Sequence, residues 1–145
     1  MADEIRINSS LQIASGNLSY QSRPNAFTID METSEGPSPG YLTATEDGVD
    51  VDFSALTEVG VCRIMNLEDE DPDNYLTYGI WNPEGSRFFP LGEVDPGESW
   101  IFKLSRSLQQ EWAGTGTGTA DSGENRLRIK STTGDCGCLV EAFGR

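Results

Sequence analysis

Histidine is absent from this chain of 145 residues, cysteine occurs only three times, and basic residues are scarce. Without histidine, neither a Ser-His-Asp nor a Cys-His nucleophile can be assembled, and a zinc site would have only cysteine and carboxylate ligands. No apolar run approaches the roughly 20 residues that span a membrane. The N-terminus lacks the basic and apolar segments of a signal peptide, so we expect synthesis in a cytosol. These absences predict a protein that is not an enzyme and has no membrane partner.

The charge is strongly one-sided, with 24 acidic against 10 basic residues and a net charge of −14. Nucleic acid is a poor partner for such a chain, because its phosphates would be repelled. A solvated acidic surface or a cationic partner fits better. The length predicts a single domain, residues 1–145, whose core is large enough to fold without a cofactor, metal or disulfide. Within it, residues 1–15 are a candidate N-terminal arm.

Residues 60–104 give the clearest structural signal. They contain four apolar or alternating runs of six to nine residues, separated by loops rich in Pro, Gly, Asn and Asp. This pattern predicts an antiparallel meander. Asp47-Gly48 is a hairpin-turn signal, and Gly97 is expected to supply the positive φ of a type II turn at residues 95–98. With similar runs on both sides, the prediction is an all-β chain of about ten short strands, an antiparallel β-sandwich or jelly-roll-like barrel.

One segment departs from the β pattern. Leu108 and Trp112 are spaced i, i+4, so residues 105–113 predict a short helix, with a covering loop as the alternative. Residues 114–125 begin with the repeat GTGTGT, which predicts a flexible loop.

The acidic loop, residues 68–74, is a candidate metal site. Asp69, Asp71 and Asp73 fall at the first, third and fifth positions of a calcium-loop spacing. Asn74 stands where an EF-hand requires glycine, and the twelfth position lacks the required glutamate, so an EF-hand is excluded. A looser Ca²⁺ site and a solvated hairpin loop remain as alternatives.

Cys136-Gly137-Cys138 has the appearance of half a metal site. A structural zinc site needs four ligands, and only Cys62 remains in a chain without histidine. An odd number of cysteines does not suggest a disulfide framework either. Two reduced thiols at the start of a strand are the simpler interpretation, with a transient or interchain disulfide as the alternative.

Arg126, Arg128 and Lys130 alternate with apolar residues and predict a cationic row on one face of a strand. The row is either a solvent face with cross-strand ion pairs to acidic neighbours or a docking face for an acidic partner.

Aromatic residues are concentrated between residues 75 and 102, and most must lie in the core. Tyr78, Trp81 and Phe89 are candidates for an exposed interface patch, because aromatic side chains anchor protein interfaces.

Several turn and core motifs of the chain recur together in one known family. The residues that carry the likeness are 1–5, 16–19, Gly60, Arg63, Asn66, Leu67, Asn74, Tyr75, Gly79, Phe88, Pro90, Leu91, Pro96, Gly97 and Glu98, with closing strands at 127–131 and 139–143. In these residues the chain resembles small virion-associated proteins of tailed bacteriophages. That family includes capsid decoration (cement) proteins and small neck or tail components.

The resemblance implies a β-sandwich on a virion, without catalytic residues, that binds the major capsid protein or other virion proteins as a homo-oligomer or in many copies. Our first hypothesis is a decoration protein that stabilises the outer shell, and the second is a neck, tail or fibre-attachment component. A carbohydrate-binding β-sandwich is the alternative of another class. There Trp81 or Tyr78 would stack on a sugar and Ca²⁺ would occupy the acidic loop.

Overall fold

The computed structural model describes residues 4–31, 35–104 and 125–144, which form twelve strands. The described residues include no helix, and therefore none that is long and apolar enough to cross a membrane. All strand pairs are antiparallel. The prediction of an all-β antiparallel sandwich is confirmed, with twelve described strands rather than about ten. The candidate helix at 105–113 and nearly all of the predicted loop at 114–125 lie outside the described residues.

The strands are numbered along the chain. They are β1 (Glu4–Ile7), β2 (Leu11–Ser15), β3 (Leu18–Ser22), β4 (Phe27–Asp30), β5 (Ser38–Ala44), β6 (Val49–Asp50), β7 (Val59–Asn66), β8 (Leu76–Asn82), β9 (Arg87–Val94), β10 (Ser99–Phe102), β11 (Arg126–Ser131) and β12 (Cys136–Gly144). The first sheet has the order β10-β7-β12-β5, and the second sheet has the order β6-β11-β8-β9. The remaining strands form two-stranded sheets, β1-β4 and β2-β3.

The core lies between the first and second sheets and follows from period-two alternation. Along β11 and β12, each residue that faces the other sheet is buried and each that faces outward is only partly buried. Both sheets and the segment after β6 supply the core. Its largest fully buried apolar side chains include Ile64, Leu76, Val94, Leu127, Ile129 and Val140.

The chain crosses between the two sheets more often than the sequence pattern predicted. Residues 60–104 are not a meander, because β7 and β10 pair in the first sheet while β8 and β9 pair in the second. The Asp47-Gly48 turn is present, and the Gly48 N–H donates to the Thr45 carbonyl at 3.0 Å. However, this turn joins β5 of the first sheet to β6 of the second, so it is not a hairpin. The same turn chemistry serves both kinds of connection.

The predicted turn at residues 95–98 is confirmed. Gly97 has a φ of 77°, and the Glu98 N–H donates to the Asp95 carbonyl at 2.9 Å. The turn is also held against the end of β7. There the Asn66 N–H donates to the Glu98 carbonyl at 3.0 Å, and the Gly97 N–H donates to the Asn66 carbonyl at 3.1 Å.

Residues 4–30 form a ribbon of two nested antiparallel hairpins. The outer hairpin pairs β1 with β4, and the inner one pairs β2 with β3 around a turn at Gly16-Asn17. The described part of the arm expected at residues 1–15, residues 4–15, is therefore one side of a longer structure, whose other side is residues 18–30. Within the part of the chain that the structure describes, the ribbon strands pair only with each other and join neither four-stranded sheet.

Candidate functional site

The cationic row lies on the outer face of the second sheet, as the alternation of β11 requires. Two of its members are held by one carboxylate of the edge strand β6. The Arg126 Nη1 lies 3.0 Å from Asp50 Oδ2, and the Arg128 Nε lies 2.6 Å from Asp50 Oδ1. Since two guanidinium groups share one partly buried carboxylate, part of their positive charge is neutralised by Asp50 within the molecule.

The protonation of Asp50 reflects this pairing. Burial alone would raise the pKa of its carboxyl group, because the charged form loses hydration. The hydrogen bonds from Arg128 and Arg126 and their positive charges outweigh that effect and hold the pKa of Asp50 below its ordinary value. Asp50 therefore stays ionised at neutral pH and acts as a structural partner of the row.

Two members of the row also cover aromatic rings. The Arg128 guanidinium carbon lies 3.9 Å from the centroid of Trp81, and the Lys130 ammonium lies 5.7 Å from that of Phe88. Arg128 passes over Gly48 as well, where a Cβ would lie 2.7 Å from the arginine Cδ. One face of Trp81 is thus occupied by a cation that the fold keeps in place, which leaves less of the ring for a sugar.

Tyr78 is a correction to the predicted interface patch. Its side chain is only 8% exposed, and its ring stacks on Phe102 with centroids 5.3 Å apart. Burial accordingly raises the pKa of its hydroxyl group. The alternation of β8 places Leu76 and Tyr78 toward the core, so Tyr78 cannot anchor a partner in this fold. Phe89 is exposed on the edge strand β9, as an interface residue would be.

The acidic loop uses its carboxylates to satisfy its own backbone. Glu68 Oε1 accepts from the N–H groups of residues 69, 70 and 71 at 3.1–3.3 Å. These bonds, led by the one from Glu70, hold the pKa of Glu68 below its ordinary value. Asp71 accepts from the N–H of Asp73 at 3.0 Å and from the Thr133 hydroxyl at 2.8 Å.

The same loop does not assemble the calcium site considered from its sequence. Among the described residues, no three carboxylate or cysteine side chains are grouped so that they could hold a metal ion. Asp69, Asp71 and Asp73 are in this respect side chains of a loop that crosses from β7 of the first sheet to β8 of the second, so the predicted hairpin loop is wrong as well.

Asn66 is buried at one end of the core, and in the sequence it was named only among the residues that carry the family resemblance. Its amide nitrogen donates to the carbonyls of Val94 at 3.0 Å and Asn74 at 3.2 Å. Its amide oxygen accepts from the Glu68 N–H at 2.9 Å and from the Cys136 thiol at 3.2 Å. A buried amide with every contact satisfied fixes the ends of β7, β9 and β12 relative to one another.

Asn74, which is also buried, joins the acidic loop to the turn before β12. Its amide nitrogen donates to Glu68 Oε2 at 3.0 Å, and its oxygen accepts from the Thr133 N–H at 3.2 Å. Together, Asn66 and Asn74 form a structural network at one end of the sandwich. A signal was present in the sequence, since each asparagine directly flanks an apolar run at the start or end of the acidic loop.

All three cysteines are free and buried. Burial raises the pKa of Cys62 to about 12, and burial together with the neighbouring Cys136 raises that of Cys138 to about 12. Burial also raises the pKa of Cys136, with a further contribution from the Glu68 carboxylate. Neutral, buried thiols are neither nucleophiles nor ready metal ligands. The interpretation of Cys136 and Cys138 as reduced thiols at a strand start agrees with this structure.

The outer face of the first sheet carries apolar side chains where a sandwich usually exposes polar ones. Strand register aligns Met65, Leu139 and Tyr41 in one row across β7, β12 and β5. Ile101 lies in the next row beside Arg63, whose Nε donates to Glu141 Oε2 at 2.6 Å. Tyr41 is 65% exposed and Ile101 is also exposed. Because these residues are distant in the chain, only the register reveals that they form one surface.

The ribbon carries a second exposed apolar surface. In the inner hairpin, Ile13 pairs with Tyr20. On the same face, Leu11 lies on the side of this pair away from the turn, and Leu18 lies on the side toward the turn. All four side chains are exposed, Leu18 most of all at 59%. The ribbon face is thus apolar without belonging to the core.

These two apolar surfaces, like the exposed Phe89 and Leu91 of the edge strand β9, are features that the described fold does not explain by its own stability. Comparison with protein-family models, with curated proteins and with solved structures finds no match for this chain.

Proposed function

We propose that this protein is a non-catalytic structural module that binds in many copies to the outer shell of a tailed-bacteriophage capsid and stabilises it. The outer face of the first sheet carries the proposal. The motif resemblance in the sequence and the sandwich architecture support it.

The outer face of the first sheet suits a broad protein partner. Its centre holds the ion pair of Arg63 and Glu141, so the face has little net charge in spite of the acidic chain. Around that pair, Tyr41 and Ile101 offer large apolar side chains, and aromatic side chains commonly dominate binding energy at interfaces. A shell that presents an uncharged apolar patch is complementary to such a face.

The net negative charge of the molecule also fits this proposed function. A net charge of −14 weakens the association of free copies and favours their solubility until a lattice of sites is available. Each bound copy that touches neighbouring shell subunits then adds weak contacts, and these stabilise the shell collectively.

The cationic row contributes less in this proposal than the apolar face. Arg126 and Arg128 are engaged with Asp50, so an acidic shell residue would compete with an existing internal partner. The Lys130 ammonium lies 5.7 Å from the centroid of the Phe88 ring, so it too has a contact within the molecule.

Purified protein added to assembled, undecorated capsids tests the proposal. We expect many copies to co-sediment with each capsid and to raise the temperature at which the capsid releases its contents. Tyr41→Glu should reduce the affinity for shells at least tenfold. Ser54→Glu adds the same charge at another exposed position, in the segment after β6. This variant should bind shells as the unmodified protein does.

Three results would contradict the proposal. If the protein does not bind to shells, the proposal is wrong. Binding of about a dozen copies or fewer at a single vertex would favour a neck or tail component instead. Equal binding by the Tyr41 and Ser54 variants would show that the outer face of the first sheet is not the contact.

A further inference from the structure

We propose that the apolar face of the ribbon is covered by the same face of a second copy of this chain. The proposal is independent of shell binding, since it concerns a different surface and a different partner.

The register of the inner hairpin defines this face. Cross-strand partners lie on the same side of a two-stranded sheet, and successive residues alternate between sides. The pairs Leu11–Ser22, Ile13–Tyr20 and Ser15–Leu18 therefore share one side. The opposite side carries Gln12, Ala14, Ser19 and Gln21. One side is thus apolar with small polar ends, and the other is polar apart from one alanine.

The sandwich does not cover the apolar side. Every residue of β2 is exposed, and in β3 only Ser22 is partly buried. A two-stranded hairpin without a packed face is marginally stable in water. A cluster of four large apolar side chains on such a hairpin is therefore expected to gain stability when another surface covers it.

Charge favours a second copy over a charged partner as the occupant. Residues 7–22 contain no Asp, Glu, Lys or Arg, although the whole chain has a net charge of −14. Two molecules of this charge repel each other. The ribbon is a surface through which two copies can meet without placing like charges against each other. A charged partner surface would find no complement on this face.

Self-complementarity adds a geometric reason. The face of a second copy is uncharged, apolar and of the same length and twist, so a two-fold axis brings equal surfaces together. Ile13 and Tyr20 are centrally placed and lie opposite the same pair when two faces meet.

The size of the face sets the strength of the contact. Stable interfaces usually engage about 20–30 residues on each side, far more than this hairpin offers. Dimerisation in free solution should therefore be weak, with a dissociation constant above about 1 µM. Copies held side by side on a lattice would associate through the same contact at a much higher effective concentration.

Sedimentation equilibrium over a range of concentrations tests the proposal with two matched variants. Leu18→Glu and Ser19→Glu place the same charge at adjacent exposed positions on opposite sides of the hairpin. We expect the unmodified protein to dimerise reversibly, and more tightly as NaCl is raised, because salt screens repulsion between the acidic bodies. Leu18→Glu should weaken dimerisation at least tenfold, whereas Ser19→Glu should have a smaller effect. Unchanged unfolding midpoints verify that both variants fold.

Thiol cross-linking gives an independent readout, because the three native cysteines are buried. A chain with both Ser15→Cys and Ser22→Cys carries introduced thiols at the two ends of the apolar side. Ala14→Cys with Gln21→Cys provides the matched pair on the other side. With a short bismaleimide, we expect dimers from the first pair and few from the second.

Several outcomes would overturn the proposal. A protein that stays monomeric at millimolar concentration and high salt has no such contact. Equal effects of Leu18→Glu and Ser19→Glu, or equal cross-linking of the two thiol pairs, would place the contact elsewhere. If Leu18→Glu lowers shell occupancy while the unmodified protein remains monomeric, the shell covers the ribbon. Tyr41→Glu should leave dimerisation unchanged, so failure of shell binding is distinguishable from failure of this contact.

Discussion

The ribbon and the sandwich use the same period-two alternation with opposite results. In the sandwich, the apolar side of each sheet meets the apolar side of the other, and residues such as Ile64 and Ile129 are completely buried. In the inner hairpin of the ribbon, equally apolar side chains such as Leu11 and Leu18 remain exposed. Alternation thus specifies which side of a strand is apolar. Whether that side becomes core or contact surface depends on whether the chain supplies a second layer.

The sandwich and the inner hairpin also differ in how they treat polar side chains. The sandwich encloses Asn66 and Asn74 and gives each of them several hydrogen-bond partners. The inner hairpin encloses nothing, and its polar residues point to solvent. We therefore expect substitutions in the sandwich to change the global free energy of unfolding, and substitutions in the hairpin to leave it nearly unchanged.

The largest expected effect is at Asn66. Asn66→Ala removes the amide that serves the carbonyls of Val94 and Asn74, the Glu68 N–H and the Cys136 thiol. Leaving such buried groups without partners should cost about 2–4 kcal/mol of unfolding free energy. Urea denaturation measures this cost. Gln12→Ala in the ribbon, an exposed amide, should change the free energy by less than about 0.5 kcal/mol. Equal effects at the two positions would contradict the comparison.

Asn66 also shows how far the sequence could predict this fold. The run GVCRIMNL at residues 60–67 predicted a strand, and β7 is Val59–Asn66. The partners of the Asn66 side chain lie in other strands and loops, so no local pattern could reveal them. The sequence pattern likewise found β11 and the turn around Gly97, because alternation and turn chemistry are local properties. It did not find which strands pair, since a hairpin and a crossing between sheets use the same turn residues.

The predictions of surface residues show the same difference between local patterns and contacts that are distant in the chain. The sequence placed Arg126, Arg128 and Lys130 on one face, because they belong to one strand. Their common partner, Asp50, lies in a distant strand and was not identified. Tyr78 was a candidate for the exposed patch because aromatic side chains anchor interfaces, although most aromatic residues of this region were expected in the core. Only packing against Phe102 shows which side is buried.

Two glycines with the same kind of backbone provide the next test. Gly97 in the sandwich has a φ of 77° and Gly16 at the ribbon tip has a φ of 56°, and a Cβ at either position would meet nothing within 4 Å. Valine strains this conformation, so Gly97→Val should lower the unfolding free energy by about 1–3 kcal/mol. Gly16→Val should disturb the hairpin but hardly change the global value. Gly97→Asn is the control, because asparagine adopts positive φ more readily. A silent Gly97→Val would mean that the turn tolerates valine.

A smaller effect is expected at Asp50. The depressed pKa of its carboxyl group means that the ion pairs with Arg126 and Arg128 contribute stability above the ordinary aspartate pKa of about 3.9. That contribution is lost as pH falls through the lower pKa of the folded state. Asp50→Asn should therefore cost about 1 kcal/mol or less at pH 7, since the groups are partly exposed. The difference from the unmodified protein should shrink below about pH 4. A difference that persists unchanged to pH 2 would assign the effect to packing.

The smallest free energy we predict is that of opening the inner hairpin. Hydrogen exchange followed by mass spectrometry should show β2 and β3 exchanging quickly in dilute protein, with an opening free energy of about 1 kcal/mol, while β7 and β12 exchange through global unfolding. Because a second copy would cover the apolar side, exchange in β2 and β3 should slow as concentration rises. It should stay fast in Leu18→Glu, in which the charge opposes that contact. Slow exchange in the dilute protein would mean that the hairpin is already packed within its own chain, and the contrast between ribbon and sandwich would disappear.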